Sequence, residues 1–280
     1  MGGYEVVRGC EISKVRGASS NCQAVWVGKG DPEFVVQDSH LHDVRQPPQP
    51  THASGMTLYR VKEGLIEDNH VHDVDSNGIN DKDGGRGNVY RRNVVHNCPR
   101  GGIMVMGRSQ HHDVRLHDNL VFDIKSAGLR VGLHSHGVFD TRVHHNTVLS
   151  LLAVNRATRT TVANCVFQVE NGHAGRVNAL NSPGFLARRS VFFTPDAAKA
   201  FKYGKSPALG FMGFQKQADA KDVLFEKLEF VDSAKKDFRL KMTDSFRRLL
   251  GRDDYLGAHE RVLKWAAAGC PMRTRDTLGR

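Results

Sequence analysis

Val36-x-x-Ser39-x-Leu41-His42-Asp43-Val44 returns as Ile66-x-x-Asn69-x-Val71-His72-Asp73-Val74. It returns again as Tyr90-x-x-Asn93-x-Val95-His96-Asn97-Cys98, as Leu116-x-x-Asn119-x-Val121-Phe122-Asp123-Ile124 and as Val143-x-x-Asn146-x-Val148-Leu149-Ser150-Leu151. Weaker copies run from Val7 to Val15, with Cys10 in the Asn slot, and lie around Asn164, Ser190 and Leu228. The slots at 10, 39, 69, 93, 119, 146, 164 and 190 are separated by 29, 30, 24, 26, 27, 18 and 26 residues. A period in the twenties with variable insertions is the mark of stacked repeats. Within each copy the apolar residues alternate, which is strand spacing with a bend rather than helix spacing. An Asn ahead of a strand suits a turn, because its side chain bonds nearby backbone and tolerates a left-handed conformation.

Between copies lies a second apolar segment that opens with Gly: Gly55-Met56-Thr57-Leu58-Tyr59, Gly78-Ile79-Asn80-Asp81-Lys82, Gly102-Ile103-Met104-Val105-Met106 and Gly128-Leu129-Arg130-Val131-Gly132. No repeat contains an amphipathic helix. A short strand cannot bury its apolar face alone, so each coil must stack on the next. The expected fold is all-β, a single parallel β-solenoid of about eight to nine coils over residues 1–241. A loop insertion is expected near 195–221, and residues 242–280 form an irregular closing segment and tail. This repeat resembles the right-handed parallel β-helix proteins of the pectate-lyase-like superfamily over roughly residues 4–240. Right-handedness follows from that resemblance and from the general crossover rule.

The chain has 280 residues, 40 Lys and Arg against 30 Asp and Glu, and a formal charge of +10. The basic residues are dispersed, which fits an acidic polymer as partner. No zinc-finger spacing or aromatic nucleic-acid motif is present, so nucleic acid is not expected as a partner. No stretch approaches the ~20 apolar residues of a membrane helix. The five cysteines form no CxxC pair and are odd in number, which favours buried thiols over a disulfide framework. The first copy begins almost at Met1, without a signal-peptide pattern. An uncapped coil exposes a whole strand edge, so we expect earlier coils upstream or a partner over this end. At the other end, Asp237-Phe238-Arg239-Leu240 followed by Asp254-Tyr255-Leu256-Gly257-Ala258-His259-Glu260 is similar to the closing motif of many secreted bacterial β-helix proteins. A secreted or cell-surface monomer is what that resemblance implies.

In register, the second and fourth positions after each Gly face solvent: Thr57, Asn80, Met104, Arg130 and Tyr59, Lys82, Met106, Gly132. The first and third face inward, where Asp81 breaks an otherwise apolar column. An unpartnered buried carboxylate is costly, and local rules tend to fail at functional sites. Asp81 and Asp83, in a run of four Asp between 73 and 83, are candidate Ca²⁺ ligands because Ca²⁺ takes hard oxygen donors. They are also a candidate acid pair for hydrolysis.

Gly78-x-x-x-Lys82-x-Gly84-Gly85 is similar to a stretch carried by β-helix polysaccharide lyases, and the resemblance implies β-elimination on an acidic polysaccharide. In that chemistry a base removes the proton α to a uronate carboxylate while a cation neutralises the carboxylate. Lys82 is the candidate base and Arg130 the candidate neutraliser, about 9–10 Å apart at the backbone if two coils separate them. His134 and His136 are candidate acids for the leaving oxygen. Asn80, Tyr59, Arg86 and His112 are candidates for holding the sugar. A non-catalytic carbohydrate-binding or structural β-helix is the competing expectation. His42, His72 and His96 share one outward slot and read first as a structural stack, since Phe122 and Leu149 fill the slot later.

Overall fold

The computed structural model describes residues 5–17, 21–28, 33–47, 52–107, 109–133, 137–178, 182–203, 209–217, 220–250 and 255–271. The chain winds as a parallel β-solenoid with three long sheets. The first runs from Glu5–Arg8 to Ala220–Lys221 and the second from Glu11–Ile12 to Leu224–Phe225. The third runs from Cys22–Val27 to Phe201–Tyr203, eight strands linked by seven full turns of chain. That is fewer than the eight to nine coils expected, because the strands beyond either end of the third sheet belong to incomplete windings. A short fourth strip joins His111–His112, Val138–Phe139 and Ala157–Thr158.

The corner between the first and second sheets is built by the recurring Asn. The residue before each slot takes the left-handed conformation: Asp38, Asp68, Arg92, Asp118 and His145 all have φ between 49° and 57°. The Asn that follows is buried and reaches the neighbouring coils. Asn93 Nδ2 donates to the Ile66 carbonyl at 2.9 Å, and its Oδ1 accepts from Asn69 N at 3.2 Å. The same step repeats from Asn93 N to Asn119 Oδ1 and from Asn119 N to Asn146 Oδ1, each 3.0 Å. Ser39 caps the row above, its N donating to Asn69 Oδ1 at 3.0 Å. Below Asn146 the slot belongs to Cys165, whose N donates to Ser190 Oγ at 3.2 Å, and not to Asn164. Asn164 is the left-handed residue of that corner, φ 53°.

The opening Gly of each third-sheet strand answers the apolar residue two places after the Asn. A Cβ on Gly78 would lie 2.4 Å from Val95 Cγ1, and one on Gly102 would lie 2.5 Å from Val121 Cγ1. Any larger residue would push the second and third sheets apart. Inside the coil, columns of Val, Leu and Ile from all three sheets form one continuous core.

The segment 195–221 is not simply a loop. It contributes the last third-sheet strand, Phe201–Tyr203, and the helix Phe211–Gln217, whose Phe214 stacks on Phe201 at 3.8 Å between centroids. The closing segment folds back along the outside of the second sheet. Phe230–Asp232 pairs antiparallel with Asp237–Leu240. Helix Asp244–Leu250 buries Phe246 and Leu250 over Val166 and Val191. Helix Glu260–Ala267 lays Val262, Leu263 and Ala266 over Val94, Leu120 and Phe122. Gly257, φ +77°, permits this return: its absent Cβ would sit 2.4 Å from Thr147 Oγ1, and Ala258 N donates to that same oxygen at 2.9 Å. All five cysteines are free thiols.

Asn93→Ala leaves the Ile66 carbonyl and the Asn69 amide unpaired in a buried corner, at about 1–3 kcal/mol for each group. Urea unfolding should therefore show a loss of at least ~2 kcal/mol. Asn93→Ser should lose less, because Ser39 and Ser190 already serve in this row.

Candidate functional site

The third sheet carries the proposed ribbon. Its pairing sets Trp26, Thr57, Asn80, Met104, Arg130, Ala153, Arg176 and Lys202 in one row. Tyr59 and Lys82 stand side by side in the next. No carboxylate occurs among these positions. Trp26, 60% exposed, lies 6.1 Å from Tyr59 between ring centroids, and Lys82 Nζ sits 5.8 Å over the Tyr59 ring. The two rings are tilted 47° to each other, and the cation lies over the Tyr59 ring.

The row is not uniformly open. Thr57, Asn80 and Met104 were expected to face solvent, yet all three are buried. Pleating gives the direction of a side chain and not what lies over it. The Met104 side chain itself folds back along its own strand, its Sδ within 2.4 Å of where a Cβ on Gly101 would lie. His52, on the connection from the second sheet, lies within electrostatic reach of Lys82 and Arg100. Neither the Asn80 oxygen nor its nitrogen has a hydrogen-bond partner.

Arg130 is half-buried, and its Nε makes no hydrogen bond. Burial lowers its pKa, the charge of Arg176 adds to the effect, and no acid among the described residues is seen to oppose them. A desolvated guanidinium without a counter-ion is costly to keep. Lys82 and Arg130 lie on a diagonal, two strands apart and two residues along, so their backbones are roughly 12 Å apart rather than 9–10 Å.

Asp81 points inward as its column required and is wholly buried. Its Oδ2 accepts from Asn88 Nδ2 at 2.9 Å, and its Oδ1 lies 3.2 Å from Nε2 of the equally buried His111. The Tyr90 ring, a buried member of the first-sheet core, is close enough for Asp81 to raise its phenol pKa further after burial. Burial disfavours charge on His111, but the Asp81 carboxylate outweighs it and holds the His111 pKa above its ordinary value. Asp81 thus closes a polar knot inside the solenoid. Asp83, half-buried with φ 61°, ends the strand, so the two carboxylates are not presented together to solvent. Among the described residues the groupings able to bind a metal are sets of histidines.

Arg86 and His112 are brought together on the fourth strip, bridged backbone to backbone. The Arg86 side chain is 71% exposed and 3.9 Å from Asp113, while His112 stacks on Phe139 at 5.0 Å. His134 and His136 lie outside the described residues.

The outward slot of the second sheet is a true stack: His42 to His72 at 5.1 Å, His72 to His96 at 4.8 Å and His96 to Phe122 at 4.6 Å. Beside it runs a second column that sequence reasoning passed over. His40 stacks on His70 at 4.6 Å and the rings interlock, with His40 Nε2 2.7 Å from His72 Nε2 and His70 Nε2 2.9 Å from His96 Nε2. The signal was present, since Ser39-His40 and Asn69-His70 repeat the residue directly after the slot. Burial first, then neighbouring imidazoles, pushes His40 down to about 4, His70 to about 2 and His96 to about 3. All three are therefore neutral at pH 7.

Fold and repeat together define a right-handed parallel β-helix protein. The profile of the right-handed β-helix region matches residues 2–148, more than half of the chain, and the chain belongs to that family. No curated protein matches it. Among solved structures it is similar to one described as the complex structure of XylC with xylose. The identity is 10%, over 81% of this chain and 38% of that one, with a TM-score of 0.47. The chain thus spans well under half of that structure's length.

The Asp81–His111 pair predicts a pH dependence. With the folded pKa of His111 raised above its unfolded value near 6.5, its contribution is complete below pH ~6.5 and is lost as pH rises through the raised value. The stability advantage of the wild type over Asp81→Asn in urea should shrink as the pH rises above about 6.5. An unchanged difference over that rise would show that the pair is uncharged.

Proposed function

We propose that the outward ribbon of the third sheet binds an acidic polysaccharide and cleaves it by β-elimination at a uronate. Arg130 carries the reading. A half-buried guanidinium without an acid partner among the described residues, in a row free of carboxylates, suits an anion supplied from outside. The exposed Trp26 ring, with Tyr59 tilted beside it, adds an aromatic face for a sugar ring to stack on. Arg176 and Lys202 extend the positive line toward the far end of the sheet, in keeping with a polymer lying along the solenoid axis.

In this reading a uronate carboxylate docks on Arg130. Neutralising it lets negative charge develop at the α-carbon as the proton leaves. Lys82 takes that proton from a position about 12 Å away at the backbone, a span two long side chains can close on one sugar. The electron pair forms the new double bond and expels the glycosidic oxygen, which takes a proton from water or from the newly protonated Lys82 as it leaves, and Asn80 is the buried polar group two residues before the base on its strand. The competing reading is a ribbon that binds the same polymer without cutting it.

Incubation with uronate polymers separates the two. β-elimination yields an unsaturated product that absorbs in the ultraviolet and appears with each new reducing end. Lys82→Ala should abolish that absorbance while polymer still retards the protein on a glycan gel. Arg130→Ala should weaken both by tenfold or more, the loss of one charge-assisted pair of about 1.5–3 kcal/mol. Retardation without any absorbance in the wild type makes the protein a binder. Reducing ends without absorbance make it a hydrolase, and neither signal removes the ribbon from consideration.

A further inference from the structure

Five histidines crowd the outward face of the second sheet, on a different side of the solenoid from the ribbon: His40, His42, His70, His72 and His96. Two sets of three bring one ligand atom each within 4.8 Å of one another, namely His40, His42 and His72, and His70, His72 and His96. They share His72, so one ion would use one set. Surrounding charge separates them. Lys236 bears on His70, His72 and His96, and Asp73 on His40, His72 and His96, but the Glu11 carboxylate stands with the first set alone, acting on His40 and touching His42. Trp265 from the closing helix also sits edge-on to His70, at 6.2 Å.

We propose that His40, His42 and His72 form a binding site for a divalent transition-metal ion. Asp73 Oδ2 lies 2.6 Å from His72 Nδ1, so the carboxylate takes that N–H and leaves the Nε2 lone pair directed at His40. This is the arrangement by which a carboxylate orients a metal-bound imidazole. His40 Nε2, 2.7 Å away, donates its own hydrogen to that lone pair in the absence of an ion. On metal binding the hydrogen moves to His40 Nδ1, and both Nε2 lone pairs turn to the ion without net proton release from either ring. Ligand nitrogens around a tetrahedral zinc stand roughly 3.4 Å apart, given Zn–N bonds of about 2.0–2.1 Å. His40 and His72 therefore part slightly and His42 moves in.

His42 Nε2 is 3.1 Å from Glu11 Oε1, which puts a carboxylate at the open side as a fourth donor or as partner to a bound water. The His42 side chain is 22% exposed, so the ion enters from solvent. Three imidazoles select Zn²⁺, Ni²⁺, Co²⁺ or Cu²⁺ over Ca²⁺ and Mg²⁺, which require oxygen donors.

Titration of the full-length, metal-stripped chain with ZnCl₂ by calorimetry should show one saturable site per chain, and a tenfold excess of CaCl₂ should not compete. Co²⁺ in place of Zn²⁺ should give a visible d–d spectrum of nitrogen ligation. His42→Gln, at the exposed edge of the stack, should fold as wild type by circular dichroism and weaken Zn²⁺ binding at least tenfold. Asp73→Asn should weaken it about 10- to 100-fold and alter the Co²⁺ spectrum. His117→Gln, in the separate His117–His144 stack, should bind as wild type. The proposal is overturned by the absence of a saturable site, by binding that persists unchanged in His42→Gln, or by binding lost equally in His117→Gln.

Discussion

The molecule depends on how one buried corner is hydrogen-bonded. Where the first sheet turns into the second, the chain needs a left-handed residue, and the group after it must satisfy backbone that no strand can reach. Asn does this with two atoms: its amide hydrogens serve the carbonyl of the coil on one side, as from Asn93 to Ile66, and its oxygen serves the amide of the next slot, Asn69. Because each step hands its bond to the neighbouring coil, the corners are locked in vertical register. That register aligns every other column, and without it Arg130 and Arg176 would not stand in one row.

The corner also explains where substitution is tolerated. Ser39 and Ser190 supply one oxygen and Cys165 supplies a backbone amide with a soft sulfur, and they occur toward the ends of the row. The unbroken Asn run, 69 to 146, coincides with the coils that carry Asp81, Lys82 and Arg130. Within those coils the core holds a polar knot, where Asp81 joins Asn88 and His111 at no exposed surface while His111 Nδ1 and the Tyr90 hydroxyl find no hydrogen-bond partner among the described residues.

The solenoid was legible because the Asn row and the Gly column are contacts with a fixed spacing in sequence. The misreading at Asn164 shows the limit of that legibility. The left-handed residue and the slot are adjacent, and small polar side chains suit both, so the pattern cannot say which is which when Cys165 takes the slot. Alternation likewise set Asn80 in its row with Thr57 and Met104 but missed its burial, since a period of two says nothing of what lies over a side chain. The inward Asp81 was visible as an apolar column interrupted, but its partner His111 lies on the fourth strip rather than in the same column, where no strand-to-strand register points to it. The fold-back of the closing segment leaves a sequence trace only after the fact, in Gly257 against Thr147.

The second sheet's outer face ties these threads together. Its two outward columns read His40, His70, Val94, Leu120 and His42, His72, His96, Phe122 in coil order. They change from imidazole to hydrocarbon where helix Glu260–Ala267 and Phe238 begin to cover them. Beneath that cover, hydrocarbon is what burial favours. Stacking alone would be served as well by a phenyl ring, and Phe122 shows that the slot accepts one. Yet the coils before it hold imidazoles, and even His70, which Trp265 of the closing helix meets edge-on, keeps its Nε2 2.9 Å from that of His96. A phenyl ring would pack as well but has no nitrogen to hydrogen-bond across the two columns, so the chemistry of those nitrogens, rather than the flatness of the rings, distinguishes this end of the face from the hydrocarbon end.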